Sequence, residues 1–76
     1  MGVFDAEYVL DLRGLEPPEP LERTLEALDT LAPGSRLRIL VPHEPFPLYA
    51  ILDRHGYRWQ SEALPDGGFA VLIWQA

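Results

Sequence analysis

The chain has 76 residues, 47% of them hydrophobic and 24% charged, which is an ordinary composition for one small soluble domain over residues 1–76. It carries no cysteine, so disulfides, thiolate nucleophiles, persulfide carriage and thiolate metal sites are all excluded. The formal net charge is −6 and every basic residue is an arginine; the whole imbalance falls before Thr30, a poor footing for binding nucleic acid.

Residues 1–6, Met-Gly-Val-Phe-Asp-Ala, have neither a basic start nor an apolar core of signal-peptide length, and Ala6 stands where myristoylation wants Ser or Thr. The longest apolar run, 69–74, is far too short to cross a bilayer. The expected location is the cytoplasm, with no membrane association.

Tyr8-Val9-Leu10-Asp11-Leu12 has the bulk of a short strand, and Gly14 breaks it. Pro17 and Pro18 fix φ and donate nothing, which suits the last loop residue and the first turn of a helix. Glu19 and Glu22 then fall near the positive end of the helix dipole, and Glu19 can pair with Arg23 at i,i+4. Leu21, Leu25, Leu28 and Leu31, with Ala32, recur at helical spacing as one core-facing stripe, and Pro33-Gly34 ends the helix.

Arg36-Leu37-Arg38-Ile39-Leu40-Val41 alternates, with Leu37, Ile39 and Val41 on one face and the arginines on the other. A strand–helix–strand unit of this length predicts a right-handed crossover between parallel strands. The proline-rich 42–47 segment introduces a second helix on which Leu48, Ile51, Leu52 and His55 share a face, with Gly56 as its left-handed cap. Tyr57–Ala63 alternates again. Pro65-Asp66-Gly67-Gly68 is a turn, and the strand after it is apolar on both faces, which places it inside the sheet. The order is βαβαββ: an α+β two-layer sandwich, with a four-stranded mixed sheet and two helices on one face.

The run Leu10-Asp11-Leu12-Arg13-Gly14-Leu15, followed by Pro18-Glu19-Pro20-Leu21, resembles the signature of the TusA/SirA-like sulfur carriers. In that family the turn reads Gly-Leu-x-Cys-Pro-x-Pro, and the cysteine carries a persulfide. Pro17 stands at the matching position, so the carrier chemistry does not transfer although the frame does. The second helix start, His43-Glu44-Pro45-Phe46-Pro47-Leu48-Tyr49, and Gly56-Tyr57-Arg58-Trp59 are similar instead to a cysteine-less relative, a domain of unknown function. The resemblance implies the βαβαββ sandwich with its last strand antiparallel and interior.

Parallel first and second strands bring their carboxyl ends together, where open α/β sheets bind ligands. Arg13, Glu16, Pro17, His43 and Glu44 are therefore the candidate ligand-binding residues, with an anion held by Arg13 and two helix N-termini. The bland alternative is that Arg13 pairs with Glu16 or Glu44 and the prolines merely shape loops. His43 is a weak metal candidate, with only Glu44, Glu16 and His55 to help it, so no metal or cofactor is expected. His55, near a helix C-terminus, reads as structural.

The helix-free face of the sheet would expose Arg36, Arg38, Leu40, Arg58 and one apolar face of the last strand, a candidate protein interface. Neither serine sits in a nucleophile elbow and no phosphate loop is present. The leading expectation is a non-catalytic binding or accessory module, monomeric or homodimeric, with a protein partner. The alternative is a small-ligand or metal-binding protein using the His43/Glu44 and Arg13/Glu16 end of the sheet.

Overall fold

The computed structural model describes residues 6–76. In chain order the elements are β1 (Glu7–Asp11), α1 (Glu19–Asp29), β2 (Arg36–Val41), α2 (Phe46–Arg54), β3 (Tyr57–Ala63) and β4 (Phe69–Gln75). The sheet runs β1-β2-β4-β3. β1 and β2 are parallel, and β4 lies antiparallel to both β2 and β3. This is the expected α+β sandwich, with the last strand in the interior.

β4 can sit there because both of its faces carry apolar side chains. Val71 and Ile73 are buried on the helix side, while on the opposite side Ala70 is buried and Leu72 and Trp74 are half-buried. β2, its neighbour, alternates as its sequence requires: Leu37, Ile39 and Val41 are buried under the helices. With Leu12, Leu28, Leu48, Tyr49, Leu52, Val71 and Ile73 they form the core. Each of these aliphatic side chains contributes about 1.5–3 kcal/mol by leaving water.

The α1 stripe is rotated from its expected position. Leu28 is buried, but Leu21 and Leu25 are half-buried, while Thr24 is completely enclosed; the helix ends at Asp29, ahead of the expected Pro33-Gly34, so Leu31 and Ala32 lie beyond it. Thr24 is tolerated because its hydroxyl donates to the Pro20 carbonyl at 2.8 Å, back along its own helix. The bond satisfies the hydroxyl within its own helix, without an outside partner.

In α2 the buried residues are Leu48, Tyr49 and Leu52, and Ile51 is half-buried. His55, expected on the apolar stripe, is instead exposed at the C-cap, its backbone N–H bonded to Ile51 and Leu52. The helix turns toward Tyr49 because that ring stacks on Trp59 of β3, a cross-element contact that helical spacing does not encode. Gly56 ends the helix at φ 79°, the left-handed conformation expected of it.

Gly68 is required for another reason. A Cβ there would meet the Val41 carbonyl oxygen at 2.9 Å, so the β3–β4 turn can lie against the end of β2 only without a side chain. No helix among the described residues is long and apolar enough to cross a membrane.

Candidate functional site

α1 packs chiefly on β2 and α2 on β3, so the helices diverge over the end of β2. The result is a groove of about 470 Å³ at the carboxyl ends of β1 and β2, the position expected from the topology. Ile39 and Val41 form its floor, Leu21 and Thr24 its α1 wall, and Leu48 its α2 wall. Leu15, Pro17, Pro18, Pro20, Pro42, Pro45 and Pro47 complete it. Its size is that of a small-molecule site.

Four of the five candidate ligand residues meet here. Glu16, Pro17, His43 and Glu44 all border the groove. Glu16, Pro17 and His43 are exposed, and Glu44 is half-buried. The Glu44 Oε2 accepts hydrogen bonds from the Tyr49 hydroxyl at 3.1 Å and the Ser61 hydroxyl at 3.4 Å. This carboxylate ties the start of α2 to its second turn and to β3. Burial pushes the Tyr49 phenol above its usual range, and its bond to the Glu44 carboxylate acts in the same direction.

Arg13 does not join them. Its Nε and Nη2 grip both oxygens of Asp11 at 2.9 Å, and its Nη1 reaches Asp66 Oδ2 at 2.9 Å. The expected pairing with Glu16 or Glu44 is therefore replaced by a clamp from the β1–α1 loop to the β3–β4 turn. The guanidinium, with a backbone N–H from the same residue, holds the Asp11 carboxyl at about 2.

The helix N-termini offer an anion little more. Pro20 and Pro47 lack an N–H at the second helical position. The Glu19 and Phe46 amides already bond the Glu16 and Glu44 carbonyls at 2.9 and 3.0 Å. Leu48 N–H is likewise spent on Pro45. The prolines at these helix starts remove two donors, and the turns take up three more.

Nor do the described residues contain a group of three or more His, Cys, Asp or Glu side chains able to hold a metal ion. His55, named as a possible helper of His43, caps α2 and does not border the groove.

The second region is the open face of the sheet. The register aligns Glu7, Arg36, Trp74 and Arg58 in one row, and Val9, Arg38, Leu72 and Gln60 in the next. Leu40 and Ala70 follow in a third. Arg38 Nε is bonded to Glu7 Oε2 at 2.8 Å, which lowers the Glu7 carboxyl below its ordinary value. The four residues expected at an interface, Arg36, Arg38, Leu40 and Arg58, thus share this face with Leu72 and Trp74.

Sequence reasoning passed over Thr24, which lines the groove, and Tyr49, which bonds Glu44 at its border. Thr24 lay within reach of the pattern, three residues after Leu21 and four before Leu28. Tyr49 carried no such signal, since its burial depends on Trp59.

The architecture is the SirA-like α+β fold, in a chain without cysteine. A solved structure of a SirA-like protein from Desulfitobacterium hafniense superposes with a TM-score of 0.78 at 23% identity, over 87% of this chain and 93% of that one. Residues 9–75 match the family described as "Uncharacterized conserved protein (DUF2249)", and the chain belongs to that family. A 74-residue stretch, 95% of the chain, is also 34% identical to part of the Mediator of RNA polymerase II transcription subunit 14 of Neurospora crassa. The chain spans only 6% of that curated relative's length.

Proposed function

We propose that this protein is a non-catalytic binding module, one domain on a sulfur-carrier-like scaffold, whose ligand site is the groove between α1 and α2. The observation that carries the reading is a 470 Å³ apolar recess at the end of the sheet where the resemblance puts the carrier cysteine and this chain puts Pro17. An apolar recess without a nucleophile, an activated base or a metal cluster among the described residues suits retention of a molecule better than its transformation.

Native mass spectrometry of the protein from its own host tests this. The expected spectrum shows a stoichiometric small-molecule adduct that is lost in Leu21→Trp, which fills the groove from α1. A bare mass for the wild-type protein, together with no ligand-induced change in NMR shifts at the groove, contradicts it.

A second reading has its own observation. Trp74 on the open face lies between Arg36 and Arg58 in adjacent strands, and an aromatic flanked by two guanidiniums is the composition of a protein-interface hot spot. On this reading the module also docks a partner through that face. Reversing both charges, Arg36→Glu with Arg58→Glu, should abolish co-purification of a defined partner while the groove still binds its ligand.

A further inference from the structure

We infer that the groove selects small apolar molecules that carry a cationic amine, and rejects the anions for which the sheet end of such a fold is otherwise suited. The inference rests on the groove's being the ligand site and adds the chemistry of what enters it.

Three observations converge. First, the wall offers almost nothing to a polar ligand. Leu15, Leu21, Ile39, Val41 and Leu48 supply hydrocarbon, and the one hydroxyl among them, on Thr24, is already bonded to the Pro20 carbonyl. A polar head buried against these residues would lose its water without replacement.

Second, the groove offers an anion few donors. Pro20 and Pro47 have no N–H, the Glu19, Phe46 and Leu48 amides are bonded within their own turns, and the Arg13 guanidinium is locked onto Asp11 and Asp66. Among the described residues no arginine borders the groove, and its one side-chain N–H donor is the exposed His43 imidazole at the lip.

Third, its two carboxylates, from Glu16 and Glu44, stand at its border on opposite helix starts. Glu44 Oε2 accepts from Tyr49 and Ser61, and this carboxylate adds its charge at the groove's edge. Glu16 is exposed and carries its charge at the lip. An ammonium group at the mouth would meet the exposed Glu16 carboxylate while its apolar body lies on Ile39 and Val41. A carboxylate there would meet like charge.

Matched ligands separate the parts of this statement. Benzylamine, benzyl alcohol and benzoate share one ring and differ in the head group. Each is titrated at pH 7 and low salt into the ¹⁵N-labelled full chain, following the backbone shifts of Leu15, Ile39 and Leu48.

The expected order is amine, then alcohol, then carboxylate, with the amine about threefold to tenfold tighter than the alcohol, the range of one partly exposed ion pair. In Glu16→Gln the advantage of the amine over the alcohol should shrink. Added salt should narrow the same gap.

Equal binding of amine and alcohol, or tighter binding of benzoate, overturns the ligand class and leaves the groove as a binding site. Shifts at none of the three residues with any ligand overturn the site as well.

Discussion

The Tyr49 ring lies flat on Trp59, with ring centroids 3.8 Å apart and planes within 3° of parallel. Phe46 meets the same tyrosine edge-on at 5.9 Å. The stack holds α2 to β3, and the Tyr49 hydroxyl carries the hold on to Glu44 at the border of the groove. The Trp59 indole N–H donates to Asp53 at 3.2 Å, a second tie between the same two elements. Trp59→Ala should therefore cost about 3–5 kcal/mol. Tyr49→Phe keeps the ring and should cost only about 0.5–1.5 kcal/mol. Urea unfolding of the two variants, with unchanged slope, checks the difference.

The turn between β3 and β4 tolerates no side chain at residue 68. Gly68→Ala brings a methyl to 2.9 Å from the Val41 backbone oxygen, which cannot swing aside as a side-chain tip would. The Leu64 amide also bonds the Gly68 carbonyl at 2.7 Å, so the turn cannot move freely either. A loss of about 1–3 kcal/mol is expected from such overpacking. Gly14→Ala serves as the control, because a Cβ at Gly14 meets nothing within 4 Å. A thermal midpoint lowered in the first variant and nearly unchanged in the second is the expected pair of results.

Asp11 makes stability sensitive to acid. Its carboxyl is held at about 2 by the Arg13 guanidinium, against an ordinary 3.8 in the unfolded chain. A carboxyl depressed on folding stabilises the protein above the unfolded value, and that contribution is lost as pH falls from about 4 toward 2. The thermal midpoint should drop across this window. In Asp11→Asn the drop should be shallower, while the midpoint at pH 7 is already lower. Because the pair is exposed, added salt should reduce the difference between the two proteins.

At the open face, charge reversal separates folding from docking. Arg36 and Arg58 are exposed, so Arg36→Glu with Arg58→Glu should leave the thermal midpoint within about the usual range of surface changes, 0.5 kcal/mol. Leu52→Ala, at a fully enclosed position, should instead cost about 2–5 kcal/mol. Circular dichroism melts of both variants check the contrast.

Much of this architecture is legible in the chain because local pattern and global fold agree. Alternation in 36–41, the double-sided apolarity of 69–74 and the Gly56 cap each prescribe their own surroundings. The groove's place follows from the parallel β1–β2 pair, and four of its bordering polar and proline residues follow with it. Arg13 could not be placed this way. One of its partners, Asp66, lies 53 residues along the chain, and which of several carboxylates a guanidinium meets is decided by how the β3–β4 turn folds back. Tyr49 was hidden for a related reason, since its burial is a property of the stack with Trp59. The apolar character of the groove was hidden in the prolines: they mark helix starts in the sequence, and only their placement shows that they also line the groove and remove two of its donors.

The central claim is that an apolar molecule occupies the space above Ile39 and Val41. Xenon under pressure tests it without knowledge of the natural ligand, since it enters apolar recesses through dispersion alone. Diffraction from pressurised crystals should show a xenon atom between Leu21, Ile39 and Leu48, absent from Leu21→Trp crystals. Xenon elsewhere in the molecule with none in this groove would contradict the account.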